Sequence, residues 1–144
     1  MARIAIDMPA TFSFSCIIPV RITDINYGNH AGNDAILSII HEARMQFLKS
    51  YGYTELDLGG VGIIMADVAI QFKHEAFYGD QLMVSVAVGE ITKISFDLFY
   101  KLETVLPGNK TVLVANAKTG MICYAYTSKK IASLSDEVKK KFTL

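Results

Sequence analysis

A single stretch of the chain has helical periodicity, and it lies among segments whose apolar residues alternate at every second position. From Asp34 onward, apolar side chains recur at the spacing of one helix face, at Ile36, Ile39, Ile40, Ala43, Phe47 and Tyr51. Asn33 is expected to cap this helix and Gly52 to end it, which predicts a helix over about 34–50. Because such a helix has one apolar face, that face must be buried against another layer of structure.

The segments around this helix predict a β-sheet. Before the helix, apolar residues from Phe12 and Phe14 to Val20 alternate with other residues along one strand. Pro19 is expected at a sheet edge or beside a β-bulge, because proline donates no ladder hydrogen bond. Short turns between the later strands favour antiparallel pairing. Four such strands are predicted, at about 62–74, 81–92, 95–104 and 111–127.

The end of the chain predicts a short helix at about 135–142. Leu134, Val138 and Phe142 lie on one stripe, and Ser133 and Asp136 have the spacing of a capping box. The order of elements predicts an α+β fold in which an antiparallel sheet wraps around one long central helix. The edges and the outer face of this sheet would stay open, and a twofold homodimer would cover them.

The composition predicts a single domain over residues 1–144 with more apolar surface than a small monomer usually carries. Hydrophobic residues make up 51% of the chain and charged residues 19%, which excludes extensive disorder. This balance indicates a buried subunit interface or an apolar ligand cleft. The 14 basic and 14 acidic residues cancel to a formal net charge of zero, so no nucleic-acid partner is expected.

Neither a membrane segment nor a metal site is indicated. No apolar run approaches the roughly 18 residues that a membrane span needs, and Asp7 and Pro9 interrupt any signal-peptide core. Cys16 and Cys123 lack the spacing of metal ligands. We therefore expect a cytoplasmic protein with two reduced cysteines and no bound metal.

Polar and flexible residues concentrate at the joint between the first strand and the long helix, Arg21 to Asp34, which contains RITDINYGNHAGND. Unpaired N–H groups at a helix start carry partial positive charge and can polarise a carbonyl group. Gly28 and Gly32 would let a ligand approach the backbone closely. The segment is therefore either an ordinary loop with a helix cap or a helix end that binds an electrophile.

Several motifs in this order resemble the hotdog-fold thioesterases, specifically the branch that contains 4-hydroxybenzoyl-CoA thioesterase. That branch often has R-x-x-D-x-D-x-x-G-H-V-N-N at this joint, followed by E-A-R on the helix. Glu42-Ala43-Arg44 matches the helix motif, and the segment from Ala66 to Val88 is similar to the family's second and third strands. SDEVKKKF resembles the usual terminal helix. At the joint, the matching residues are Arg21, Asp24, His30 and Asn33.

The joint departs from the family pattern at its second acid. Family members use that acid as nucleophile or general base, and here it is Asn26. An amide has no basic lone pair, so Asn26 could only orient water or hold the thioester carbonyl. Asp24 would lie on the same face of an extended backbone. It could therefore act as the base, or it could pair with Arg21 or cap a backbone N–H group.

The resemblance also implies roles for residues around these two. His30 either donates a hydrogen bond to the substrate or water, or supports the loop. The expected catalytic residues are thus Asp24, Asn26 and His30. The expected substrate-binding residues are Gly28 and Asn33 at the joint, Met65 against the acyl arm, and Lys93 and Ser95 near the CoA phosphates.

The function that the resemblance implies is hydrolysis of an acyl-CoA or acyl-carrier-protein thioester to a free acid and a thiol. CoA would be part of the substrate, and no cofactor is expected. The enzyme would be a homodimer or homotetramer with its site completed across a subunit boundary. Because of Asn26, two alternatives stay open: a non-hydrolytic binder of acyl-CoA or acyl carrier protein, and an assembly subunit without a ligand.

Overall fold

Among the residues that the structure describes, one long α-helix, one short α-helix, one 3-10 turn and six strands make up the regular structure. The computed structural model describes residues 1–143, and its α-helices are α1 (Asn33–Ser50) and α2 (Asp136–Phe142). Within this range, no helix has the length and apolar character that crossing a bilayer requires. The strands are β1 (Phe14–Pro19), β2 (Gly62–Phe72), β3 (Gln81–Ile91), β4 (Ser95–Leu106), β5 (Lys110–Ala125) and β6 (Lys130–Ile131).

The strands form one antiparallel sheet, with β1 and β2 at its edges. The order across the sheet is β1-β3-β4-β5-β2, and the short β6 pairs with β5. Along β4, every second residue is buried, so one sheet face lies over α1. The predicted arrangement of an antiparallel sheet around one long helix is confirmed.

The apolar stripe of α1 forms the centre of the core. Ile36, Ile39, Ile40, Ala43 and Phe47 are all buried, as the spacing predicts. The Phe47 ring lies 5.8 Å from the ring of Phe14 on β1 and 5.6 Å from that of Phe142 on α2. The short helix therefore closes the core where α1 ends, and β1 closes its side.

The predicted helix caps are partly wrong. Gly32, not Asn33, is the N-cap of α1, and it provides no side-chain capping bond. Asn33 is already the first helical residue, and its side chain is exposed. Gly52 does follow the helix in a left-handed conformation, with φ of 82°. At α2 the cap is Ser135 rather than Ser133, because the Ser135 hydroxyl accepts a bond from the N–H of Val138.

The predicted strand limits also need correction. β2 ends at Phe72 because the next two backbone N–H groups, of Lys73 and His74, both bond to the carbonyl of Val114. β6 was not predicted, since two residues are too few to show alternation. Phe12 lies outside β1, with Nζ of Lys101 4.9 Å from its ring centre. Alternation alone could not show where the chain leaves the sheet.

The two edge strands differ in how open they are to further pairing. β1 is short and ends with Pro19, which blocks the ladder as predicted. β2 has 11 residues and pairs with β5 on one side. Three of its large apolar side chains are exposed, Met65 by 39%, Val68 by 38% and Phe72 by 53%. A long apolar edge of this kind is a site for association with another chain.

The contribution of the buried face of α1 to stability can be tested with two leucine substitutions. Leu48 on α1 is fully buried, whereas Leu56 in the following loop is 74% exposed. We expect Leu48→Ala to lower the free energy of unfolding by about 2–5 kcal/mol, because it leaves a cavity in the core. Leu56→Ala should change it by about 0.5 kcal/mol or less. Urea denaturation followed by circular dichroism measures both, and equal losses would contradict this account of the core.

Candidate active site

The loop between β1 and α1 is held in place by backbone bonds to the rest of the fold. The N–H of Val20 bonds to the carbonyl of Asp80 at 2.8 Å, and the N–H of Ala31 bonds to the carbonyl of Ala76 at 2.8 Å. Between them, a turn of 3-10 helix covers Ile22–Asp24. The start of α1 therefore has a defined position at one end of the sheet.

Asp24 holds this loop together with both of its carboxylate oxygens. Oδ2 accepts a bond from the backbone N–H of Arg21 at 2.8 Å, and Oδ1 lies 3.3 Å from the Arg21 guanidinium group. The Asp24 side chain is only 5% exposed. The expectation that an extended backbone would put Asp24 on the same face as Asn26 is wrong, because Asp24 ends the 3-10 turn.

Asn26, Gly28 and His30 form a tight polar turn. The Asn26 Oδ1 accepts a bond from the N–H of Gly28 at 2.9 Å, and the Asn26 N–H donates to the carbonyl of His30 at 2.9 Å. A Cβ on Gly28 would lie 3.2 Å from both Asn26 Oδ1 and His30 Nε2. Glycine at this position therefore allows the imidazole ring to lie close to the Asn26 amide.

The position of the imidazole proton follows from the partner of His30. Its Nδ1 lies 3.1 Å from the carbonyl oxygen of Ala31. Because a carbonyl can only accept, Nδ1 carries the hydrogen in this contact. In the neutral ring, Nε2 is then the acceptor, and it faces the side of the turn where Asn26 lies. His30 both supports the loop and presents a lone pair.

The N-terminus of α1 has no side-chain cap. Its N-cap is Gly32, and the N–H groups of the first helical turn have no partner within the helix itself. These groups and the helix dipole create a partial positive charge beside Asn26 and His30. The geometry suits a carbonyl oxygen or another group that gains negative charge.

A cleft of about 250 Å³ opens beside this helix end. Its walls come from the loop and α1 on one side and from the chain just after β2 on the other. Its polar lining includes His30, Asn33, Lys73, His74 and Glu75, and its apolar lining includes Ile36, Phe72 and Val114. The cleft therefore adjoins the open edge strand β2.

Three of the predicted substrate-binding residues lie far from this cleft within one chain. Met65 is seven residues before Phe72 on β2, a separation of about 23 Å along the strand. Ser95 lies at the same end of the sheet as Met65, because Ser95 and Ile64 both pair with Ile122. Lys93 is exposed at the turn before β4. One chain alone does not bring these three residues to Asp24, Asn26 and His30.

Two lining residues, Lys73 and Asn33, show what the sequence could and could not indicate. Asn33 was predicted to face the site, and its side chain does line the cleft. The sequence does not indicate Lys73, because its position depends on where β2 ends relative to α1. His74, which also lines the cleft, bonds to the carbonyl of Glu75 at 2.7 Å and is exposed.

The remaining reactive groups belong to other parts of the structure. Burial raises the pKa of Cys123 to about 11, and burial together with the Glu42 carboxylate raises the pKa of Cys16. Neither thiol is therefore primed as a nucleophile. Residues 1–143 contain no group of three or more His, Cys, Asp or Glu side chains arranged to hold a metal ion.

The E-A-R segment of α1 contributes a buried polar network. Arg44 is 5% exposed, and its guanidinium group donates to the Tyr100 hydroxyl at 3.3 Å and lies 3.7 Å from Glu55. The same Glu55 carboxylate bonds to His41 at 2.5 Å. This network joins α1 to the loop after it and to β4, at the middle and end of the helix rather than at its start.

Comparisons with known protein sequences agree on one family. A sequence model of the thioesterase-like superfamily matches residues 20–142. A 1,4-dihydroxy-2-naphthoyl-CoA hydrolase of Microcystis aeruginosa is 30% identical over 107 residues, which cover 72% of this chain and 74% of that protein.

Two solved structures share the fold. The 4-hydroxybenzoyl-CoA thioesterase of Pseudomonas sp. strain CBS-3 superposes with a TM-score of 0.80 at 14% identity, covering 90% of this chain and 99% of that one. A 1,4-dihydroxy-2-naphthoyl-CoA thioesterase of Synechocystis gives a TM-score of 0.78 at 21% identity, covering 90% and 95%.

The role of Asp24 in holding the loop can be measured as stability. Asp24→Asn keeps the shape of the side chain but removes the charge that accepts from Arg21. We expect the free energy of unfolding to fall by about 1.5–3 kcal/mol, the usual value for a hydrogen bond to a charged group. Asp136→Asn, at an exposed helix start, is the matched control. An unchanged urea midpoint in Asp24→Asn would show that the carboxylate is not structural.

Proposed function

The chain belongs to the thioesterase-like superfamily, and we infer that it hydrolyses an acyl-CoA thioester to a free acid and a thiol. The observation that carries this inference is the family match over residues 20–142, which confirms the resemblance first indicated by the sequence motifs. That range includes the polar loop, the start of α1 and the cleft. The activity needs a polarised carbonyl, an activated water and a site for the acyl and CoA arms.

The start of α1 supplies the first of these requirements. We propose that the thioester oxygen binds the backbone N–H groups at Asn33 and Asp34, which gain strength as the oxygen becomes negative in the transition state. A capping side chain would compete for these groups. Gly32 is the N-cap and has no side chain, so the helix end stays open to the substrate.

The cleft beside the helix suits the acyl group. Ile36, Phe72 and Val114 give it apolar walls, while His30 and Asn33 give it polar groups at the helix end. Aromatic acyl-CoA thioesters are the first substrates to test, because the Microcystis relative is named for 1,4-dihydroxy-2-naphthoyl-CoA. The same chemistry would serve an acyl-carrier-protein thioester, which has the same thioester linkage.

Water is the proposed nucleophile, positioned by Asn26 and His30. The Asn26 amide can hold a water molecule but cannot take its proton. The carboxylate of Asp24 is occupied by Arg21, which favours a structural part for it. Neither metal nor cofactor enters this reaction, since a helix N-terminus already polarises the carbonyl.

A second copy of the chain would complete the site. Antiparallel pairing of two β2 strands places one end of each sheet beside the opposite end of the other. Met65, Lys93 and Ser95 of one chain would then approach the cleft of its partner, where Lys93 could bind a CoA phosphate. The exposed apolar edge of β2 supports this homodimer, which could pair again into a tetramer. A soluble, cytoplasmic location is consistent with two unpaired cysteines.

A specific observation supports one alternative. Because Asn26 stands where the family has an acid, the chain could retain the cleft and bind acyl-CoA without cleaving it. Binding and hydrolysis place the same demands on the helix end and on the acyl cleft. They differ only in whether a base is present, so a direct assay separates them.

The proposed hydrolysis is tested with purified protein and a panel of acyl-CoA thioesters, aromatic and aliphatic. We expect free CoA thiol to be released at a rate well above that of thioester hydrolysis in buffer. A thiol reagent measures this release. The variant Asn26→Asp is measured beside the wild type. Asn109→Asp, at an exposed hairpin turn, is the control for its added charge. Binding without thiol release, with activity present only in Asn26→Asp, would favour the binder instead.

The proposed dimer is tested at the centre of β2. Val68→Asp places a charge on the exposed apolar edge, and we expect it to shift the mass measured by light scattering toward the monomer and to lower hydrolysis. Val105→Asp, a 57% exposed valine near the end of β4, is the matched control. A wild-type protein that is monomeric and fully active would rule out a shared site.

A further inference from the structure

The proposed hydrolysis leaves one requirement unmet, which is the group that removes the proton from water. Asn26 has no basic lone pair, and both oxygens of Asp24 are engaged by Arg21. The next acid on α1 is Asp34, at the second position of the helix, with an exposed side chain. Glu75 also lines the cleft, but from the chain after β2, whereas the Asp34 carboxylate borders the Asn26 amide.

The Asp34 carboxylate lies beside Gly32, the residue before its own helix. A Cβ built on Gly32 would lie 2.6 Å from Asp34 Oδ1, closer than two such atoms can approach. The φ of Gly32 is −72°, which every residue type adopts, so the backbone does not require glycine here. What the missing side chain provides is the space that the Asp34 carboxylate occupies.

The amide of Asn26 borders the same space. The same Cβ position is 3.6 Å from Asn26 Nδ2. Because Asn26 Oδ1 is held by the N–H of Gly28 at 2.9 Å, the orientation of the amide is fixed and its NH₂ group is on the Gly32 side. A donor and a carboxylate oxygen thus border the same space beside Gly32, where one water could form a hydrogen bond to each.

His30 lies on the other side of the same amide. Its Nε2 is near the Cβ position of Gly28, as is the carbonyl oxygen of Asn26. A water held by the Asn26 NH₂ group would share the space beside Gly32 with Asp34, whereas the Asn26 oxygen borders His30. This water would also lie next to the N–H groups at the start of α1, where the thioester oxygen is proposed to bind.

We propose that Asp34 is the general base of the reaction, acting on a water that Asn26 orients. This proposal rests on the thioester hydrolysis inferred above and names the residue that replaces the family's usual acid. In this proposal the two functions of one aspartate, holding water and deprotonating it, are divided between the Asn26 amide and the Asp34 carboxylate, which both lie beside Gly32.

The steps balance without any further reactant. The water oxygen forms a bond to the thioester carbon while its proton passes to the Asp34 carboxylate, and the carbonyl electrons move onto the oxygen at the helix start. When the tetrahedral intermediate collapses, the C–S bond breaks, and the thiolate takes the proton from the Asp34 carboxyl group. The products are the carboxylic acid and the free thiol, and Asp34 is again ionised.

The test compares Asp34→Asn with the matched control Asp136→Asn, an exposed acid in the first turn of α2. With the wild type's best acyl-CoA substrate, we expect Asp34→Asn to lower kcat by about 10²–10⁴-fold, with KM and the urea midpoint nearly unchanged. Asp136→Asn should keep full activity. Added formate should restore part of the rate in Asp34→Ala, because a small carboxylate can enter the exposed position.

Two further variants separate chemistry from structure. Gly32→Ala keeps every charge but displaces the Asp34 carboxylate, and it should lower kcat while the protein stays folded. Asn26→Asp in the Asp34→Asn background returns a carboxylate to the space beside Gly32 and should restore hydrolysis.

Two results would overturn the assignment. One is an Asp34→Asn rate within about threefold of wild type. The other is a rate loss that formate does not rescue and that a lowered urea midpoint explains. Either leaves the proposed function standing if the wild type releases thiol. A wild type that releases no thiol from any acyl-CoA would remove the proposed function and this assignment together.

Discussion

The burial of one helix face against one sheet is the interaction on which the rest of this structure depends. α1 places its apolar stripe under β3, β4 and β5, and Phe47 anchors its far end against β1 and α2. A single helix cannot slide in such a packing without exposing its stripe. Its N-terminus is therefore held at one end of the sheet, where the chemistry is proposed to occur.

The loop before α1 converts this fixed position into a site. Asp24 ties the loop to Arg21, and backbone bonds tie the loop to the segment before β3. Glycines at positions 28 and 32 leave room for His30 and Asp34 to approach the Asn26 amide. The Asp24 carboxylate thus makes the loop rigid. The other polar groups of the loop surround the start of α1, which has no capping side chain.

The edge strand β2 links this site to assembly. The cleft lies at one end of β2, whereas Met65, Lys93 and Ser95 lie at the other end of the sheet. The proposed dimer would complete such a divided site, because two sheets that meet in antiparallel fashion bring these opposite ends together. The exposed apolar side chains of β2 provide a physical reason for that meeting, because burying them removes apolar surface from water.

The sequence by itself determined the element types, the antiparallel sheet, the buried stripe of α1 and the family, because periodicity and motif order are local properties of the chain. It also indicated the polar loop as the candidate site. Only the tertiary structure decided that Gly32 caps the helix, that Asp24 is occupied by Arg21, and that Lys73 lines the cleft. Spacing along the chain does not choose between the alternative partners of one side chain, as at Asp24, and it does not specify which residues meet across the fold, as at Lys73.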